Sequence, residues 1–365
     1  MGIFEPFIDH KLEKQQEQVM ASTLISKLTV EDLLPDKDIL ELMIKHKKTT
    51  LSIEKQQQLT KLVLEHIQKG TDVKDQLLKL VDNKPSELSD FGNVLLTSSK
   101  FGAPVALELY RNAMDNGDDR GAYSYASMIH RGYRGIEKKE EQGIAIFSKL
   151  AQKGHPHAQK NLASIIMRTQ PDKTESAIKL YELAGKQGLS DAYTDLGRMY
   201  RMGYGVHQDH NKAISYFKKG AELGNDKCNF MLGVYYGSGH ADSEGQPDQK
   251  KAFKYFQKAA IKGMPEAQYN VGLRFLHGNG TEQNYFNAAE FFRMASMQHF
   301  QLAQINLATM YVEGRGVKKD LNEARQLFEK VSAKGGPIGK DAQKRIQEID
   351  ASQNMHQGGS KCIVM

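Results

Sequence analysis

Apolar residues recur along most of this chain with the period of an amphipathic helix, and the helical stretches come in pairs. After Ala192, the residues Leu196, Gly197 and Tyr200 follow at i+4, i+5 and i+8, which marks one helix face. Gly203 and Gly205 interrupt the pattern, and a Gly-x-Gly sequence gives the backbone the freedom for a tight reversal. Ala213, Tyr216, Phe217 and Ala221 then recur at i, i+3, i+4 and i+8 and define a second amphipathic helix. Gly224 closes it where a left-handed cap belongs. The small side chains of Ala192 and Gly197 let the antiparallel partner approach closely. Each unit reads as a helical hairpin.

The pattern restarts at Cys228, Ala267 and Ala303, so successive starts lie 36, 39 and 36 residues apart. A fixed period of this length predicts a stacked array, because one hairpin cannot bury its own apolar face. Weaker copies start at Ala158, where Gln170-Pro171-Asp172 replaces the glycine loop, and near Ala122, with Gly132 and Gly135 in the loop. Phe91-Gly92 and the run from Ala106 to Gly117 read as a weakened first unit. The expected fold is all-α, an α-solenoid of about six hairpin repeats with atypical terminal copies that cap the stack.

The consensus, A-x-x-x-L-G-x-x-Y-x-x-G-x-G-V followed by D-x-x-K-A-x-x-Y-F-x-K-A-A-x-x-G, resembles the Sel1-like repeat, a relative of the tetratricopeptide repeat. Gly203, Gly205, Val206, Asp209, Lys212 and Ala213 fit it position by position, as do Gly314, Gly316, Val317, Asp320 and Ala324. Cys228 for the leading Ala, Ala308 for the motif Gly and an insertion around Ala241–Gln249 depart from it. The resemblance covers residues 85–340 and implies scaffolding of protein complexes rather than a chemistry.

Composition refines the boundaries. Residues 1–84 carry 13 Lys, no Arg and 14 acidic residues, and the first Arg is Arg111, although the whole chain has a formal charge of +6. This step and Pro85 place a boundary near Asn83–Ser86. The expected organisation is a helical N-terminal module or cap (1–84), a Sel1-like solenoid (85–345) and a flexible tail (346–365). Within 1–84, helices are predicted from Asp36 to His46, from a Ser52 cap to Gly70, and from an Asp72 cap through Val81. The surplus of positive charge is modest and interspersed with acidic residues, so no nucleic-acid partner is expected.

The chain has two cysteines. Cys228 reads as a buried stand-in for Ala, and the lack of paired cysteines implies a reducing compartment. No secretory signal and no spanning segment are expected. Pro6, where a Ser or Thr is needed, argues against myristoylation of Gly2. After Gly358-Gly359-Ser360, a flexible leader, the last residues are Cys362-Ile363-Val364-Met365, a C-a-a-X sequence whose Met favours farnesyl. A thiolate attacks the isoprenoid, the aliphatic pair fills an apolar channel, and the terminal carboxylate fixes the register. The expected partners at the tail are a prenyltransferase, the CaaX-processing enzymes and a membrane. One prenyl chain binds a bilayer only marginally, so the solenoid must supply a second signal.

On the first helix of each hairpin, the second and sixth residues after the leading one point away from the core positions, towards the inner wall. The candidate partner-binding residues there are Arg198, Phe230, Val234, Tyr269, Leu273 and Ile305, with Thr194 and Thr309 on the same wall. Packing between adjacent hairpins is the alternative use of the aromatics. His207-x-x-His210 and His155-x-His157 lack further ligands at metal-binding spacing and read as exposed turn residues. No catalytic or nucleotide-binding motif is present, so no enzyme activity, cofactor or metal is expected. The resulting expectation is a scaffold on the cytosolic face of a eukaryotic membrane, farnesylated at Cys362. Injected effectors of the Legionella type and fungal regulators of chitin synthase both combine such repeats with a lipidated tail, and the short length, the lack of Trp and the Lys/Gln-rich N-terminus favour the effector. A soluble adaptor with a chance C-terminal match is the rival reading, and an enzyme within residues 1–84 is a third.

Overall fold

In a computed structural model, residues 27–241 and 244–359 are described; nineteen α-helices and two short 3-10 turns, with no strand, are found among them. They fall into two compact units, 1–184 and 185–365.

In the first unit, α1 (Val30–Leu33), α2 (Lys37–Lys45), α3 (Ile53–Lys69) and α4 (Lys74–Leu80) precede the hairpins. The predicted helix signals hold locally. The Ser52 side chain accepts from the Lys55 amide at 3.3 Å, and Gly70 ends α3 with φ of 72°. Asp72 accepts from the Lys74 amide at 3.2 Å, one position ahead of the observed cap Val73. Leu33, Leu59, Val63 and Leu77 share one core with Leu88, Phe91, Leu109 and Tyr110. The segment before Pro85 is therefore seated as a cap on the first hairpin, α5 (Pro85–Ser98) and α6 (Ala103–Asp115). Then follow α7 (Asp119–Arg131), α8 (Glu140–Gln152), α9 (Pro156–Thr169) and α10 (Thr174–Lys186), with the Gln170-Pro171-Asp172 turn folded as a 3-10 helix over Pro171–Lys173.

The second unit contains four hairpins: α11 (Ser190–Met202) with α12 (His210–Glu222), α13 (Asp226–Ser238) with α14 (Gln249–Ile261), α15 (Pro265–His277) with α16 (Tyr285–Met297), and α17 (Gln301–Glu313) with α18 (Leu321–Ser332). Each second helix is capped by an acidic or amide residue; Asp209, Asp248, Asn284 and Asp320 accept from amides three positions on at 2.8–3.0 Å. Each cap amide also donates back to the first helix, to Tyr200, Tyr236, Phe275 and Tyr311 carbonyls at 2.8–3.0 Å, which fixes the reversal.

A last helix, α19 (Gly336–Gly359), packs on α18. It corrects the expectation of a flexible tail from 346. No glycine or proline lies between Gly339 and Gly358, and Arg325 of α18 bonds Asp350 at 2.9 Å, so helix continues to the Gly358-Gly359 pair. Cys362 and the rest of the C-a-a-X sequence lie outside the described residues.

Candidate partner-binding surface

The close helix contact inferred from the small residues is present and specific. A β-carbon on Gly233 would lie 2.7 Å from the Phe256 ring, and one on Gly272 would lie 2.6 Å from Phe292; Gly197 stands in the same relation to Phe217. The first helix thus presents backbone to the ring of a buried phenylalanine on the second. The same joint recurs in α5–α6, where Gly92 faces Tyr110 at 2.7 Å. Burial pushes the Tyr110 phenol above its usual range, and its hydroxyl donates to Asn93 at 2.7 Å.

Successive hairpins meet through small side chains. Ala259 and Ala267 are fully buried at one junction, and Ala295 and Ala303 at the next. At the preceding junction the pair is Gly220 and Cys228, with the thiol filling the room left by the glycine. Thr194, placed on the inner wall by its spacing, is buried in this junction instead. Its hydroxyl donates to Asn225 at 3.2 Å and lies 3.1 Å from Cys228 Sγ. Asn225 in turn caps α13 through the Cys228 amide and donates to Ser190 and Asp191.

Of the six candidate residues, Arg198 is exposed and the other five are half-buried. Phe230 meets Phe256 edge-on with centroids 5.5 Å apart, and Phe230 and Val234 pack against the core of the α14–α15 region. Tyr269 lies 5.8 Å from Phe292 and 5.3 Å from Phe300. Burial raises its phenol pKa, against a lowering by a hydrogen bond with Asn306. Leu273 and Ile305 join Tyr269 against the core of the last two hairpins. The structure gathers these three on one core and Phe230 with Val234 on another, while Arg198 stands apart. Packing between helices occupies a large part of each aromatic and leaves it partly exposed.

His157 and His207 are exposed, as expected, but the other member of each histidine pair is half-buried. His155 is half-buried, caps α9 by accepting from the Ala158 amide at 3.3 Å, and stacks on Tyr123 at 5.1 Å. Burial lowers its pKa, and neighbouring His157 lowers it further. His210 lines a cavity of about 350 Å³ together with Arg201, Val234, Tyr235, Ser238 and His240. Among the described residues no group of three or more His, Cys, Asp or Glu side chains is arranged to hold a metal ion, and no helix is long and apolar enough to cross a membrane.

Six consecutive segments, residues 120–155, 156–189, 190–225, 226–264, 265–300 and 301–336, match the family model of the Sel1 repeat, and together they make up more than half of the chain. This protein belongs to the Sel1 repeat family. A stretch of 105 residues is 33% identical to protein sel-1 homolog 2 of Homo sapiens, covering 28% of this chain and 15% of that protein. Another of 125 residues is 30% identical to an uncharacterized protein of Neisseria meningitidis serogroup B, covering 34% of this chain and 26% of that one. The chain thus spans about a quarter or less of the length of these relatives. Two solved structures share the fold. One is a Sel1 repeat protein from Oxalobacter formigenes (TM-score 0.60, 22% identity, 89% of this chain and 94% of that one). The other is a protective antigen of uropathogenic Escherichia coli strains (TM-score 0.59, 21% identity, 93% and 81%).

Some Sel1-repeat features were not read from the sequence. The second loop glycine serves contact as well as turning: a β-carbon on Gly280 would strike the Gln249 backbone, and one on Gly316 the Tyr285 backbone, each at the start of the previous repeat's second helix. The Gln after the leading Ala is buried to cap that earlier helix, with Gln268 donating to the Ala260 carbonyl and Gln159 to that of Ala151, both at 3.3 Å. Lysines also ride over the tyrosines: Lys212 on Tyr200, Lys219 on Tyr216, Lys251 on Tyr236 and Lys258 on Tyr255, each 5.1–5.4 Å from the ring centroid. The recurrence of Lys-Tyr-Lys at 212, 216 and 219 and again at 251, 255 and 258 was the available signal.

Proposed function

We propose that this chain is a protein-binding scaffold, held on the cytosolic face of a eukaryotic membrane by farnesylation of Cys362, and that it acts there as a bacterial effector. The uninterrupted series of six Sel1 repeats carries the scaffold part of this reading, since stacked hairpins build an extended surface rather than a reaction centre. The tail carries the membrane part. Cys362, two aliphatic residues and Met365 form a farnesylation sequence when Met365 bears the free carboxylate. The effector reading rests on the combination of such repeats with a tail that only eukaryotic enzymes modify.

A single farnesyl group needs help to hold a membrane. The exposed lysines of α12, of α14 and of its C-cap, among them Lys212, Lys218, Lys219, Lys254, Lys258 and Lys262, supply charge of the sign that anionic lipid attracts. A protein partner on the face carrying Arg198 supplies the other form of help. Expression of the full chain in eukaryotic cells tests the anchor: the protein should gain the mass of one farnesyl group and sediment with membranes, and Cys362→Ser should do neither. An unmodified mass in cells with active prenyltransferase would remove the anchor. Cross-links to a defined protein that persist in Cys362→Ser would leave the scaffold standing on its own.

A further inference from the structure

Two sequence features remain without a role, His207-x-x-His210 and the loop insertion that makes the 226–264 repeat longer than its neighbours. They converge on one cavity. His210, at the start of α12, and His240, where the insertion begins, have ring centroids 5.6 Å apart. Between them stands Tyr235, only 4% exposed, whose hydroxyl meets His210 Nδ1 at 2.9 Å and whose ring lies 6.3 Å from that of His240. Ser238 Oγ meets His240 Nδ1 at 2.7 Å. With Nδ1 of each ring engaged, Nε2 is the atom left for a ligand. Arg201 completes the wall; burial raises the Tyr235 phenol above its usual range, and the nearby Arg201 charge opposes that rise. The Arg201 guanidinium has no carboxylate partner among the described residues, and its Nη1 donates to the Met231 sulfur at 3.6 Å.

The described lining is rich in donors and holds no acid. Arg201, His210, His240, Tyr235, Ser238 and Gln208 face a cavity of about 350 Å³, with Met202 and Val234 as its apolar side. Two imidazoles alone suggest a transition metal, but two ligands fall short of a closed site and the guanidinium repels a cation. The same groups suit an oxyanion. A carboxylate has two oxygens to offer these donors, whereas a phosphate monoester brings about two negative charges and three acceptor oxygens.

We propose that this cavity is a binding site for a phosphate monoester, with Arg201 as the forked donor, His210 and His240 as flanking donors, and Met202 and Val234 against the group that carries the phosphate. The site is independent of the farnesyl anchor and of any protein partner. It is tested by titrating isotope-labelled full chain with O-phosphoserine while following the histidine ring signals. The His210 and His240 signals should shift saturably with O-phosphoserine and not with serine. Arg201→Gln and His240→Gln should each weaken binding about ten-fold or more, the loss of one charge-assisted hydrogen bond, with unchanged melting curves. Vesicles containing phosphatidic acid form a second arm: competition by them identifies a lipid source for the ester, and its absence a soluble one. Absence of saturable shifts, or equal affinity in Arg201→Gln, overturns the proposal.

Discussion

The sulfur of Cys228 occupies the space that a β-carbon on Gly220 would need, and the Cys228 β-carbon would itself lie 3.2 Å from that atom. Elsewhere in the stack both places are fully buried alanines, as Ala259 and Ala267 are. One side has grown and the other has shrunk, so volume is conserved across the pair.

The two positions should therefore be strongly coupled. Cys228→Ala alone leaves a void and takes the sulfur from Thr194, at about 1–2 kcal/mol. Gly220→Ala alone overpacks the junction, at about 1–3 kcal/mol. The double variant restores the Ala–Ala form and gains helix propensity at position 220, so it should match or exceed the parent in stability. A denaturant-melt cycle reads this directly, and additive losses would mean that the two side chains do not compete for one space.

Gly233→Val should cost about 1–3 kcal/mol or more, because its new atoms meet a ring that cannot retreat. Phe256 is 2% exposed, with Phe230 at its edge and the Arg274 guanidinium 5.0 Å above it. Ala308 marks the contrast, a fully buried β-carbon at the equivalent place in the last repeat, so Ala308→Gly should lower stability by about 1 kcal/mol. A thermal melt that Gly233→Val leaves unchanged would contradict the joint described.

The buried thiol should also set a pH dependence. Burial pushes Cys228 up to about 11, with the Thr194 hydrogen bond opposing and nearby Asp191 adding to the rise. Below about 8.5 the thiol is protonated in both folded and unfolded chains and contributes nothing. Above that the unfolded chain ionises first, so stability falls as pH climbs towards 11, by about 2 kcal/mol from this group near pH 10.5. Tyrosines and lysines titrate in the same range. The Cys228→Ala, Gly220→Ala double variant isolates the thiol, and it should lose less stability than the parent between pH 8 and 10.5.

The hairpins and their period were legible because they rest on local rules: helical spacing and, in most repeats, a glycine at the reversal. Gly197 and Gly233 could be read as close contacts because a glycine inside a strong helix pattern needs a steric reason. What escaped was the identity of the neighbour. Spacing put Thr194 on the inner wall, yet its hydroxyl is drawn into the polar network around the Asn225 cap, a residue 31 positions away. Spacing likewise could not say that an insertion would carry His240 to His210. Helix periodicity fixes which way a side chain leaves its own helix; the next repeat decides what it meets.

One departure from the repeat is visible as backbone strain. The turns that join hairpins hold a residue with positive φ, Gly224 at 79° and Gly263 at 92°, and at both a β-carbon would meet nothing within 4 Å. Glycine is there for its conformation alone. The next turn puts His299 in this region at φ of 62°, exposed to solvent. His299→Gly should stabilise the protein by about 0.5–1 kcal/mol, the relief of left-handed strain less the entropy of the added glycine. A lower melting temperature would indicate that the imidazole makes a compensating contact.

The membrane reading turns on a residue that can be changed without touching the core. Phe230 and Tyr269 were candidates for partner binding, but each packs on phenylalanines of neighbouring helices. Phe230→Ser should cost about 2 kcal/mol or more, so any loss of membrane location in that variant is ambiguous. Arg198 is exposed, and Arg198→Glu should leave the melt within about 0.5 kcal/mol of the parent. If a partner on this face is the second signal, Arg198→Glu should disperse the farnesylated full chain in eukaryotic cells while its melting curve and farnesyl mass stay as in the parent. If it stays in place, the face is not the second signal. Replacement of Lys218, Lys254 and Lys262 by Glu should then release the chain, because repulsion from anionic lipid removes the remaining attraction that one isoprenoid chain needs.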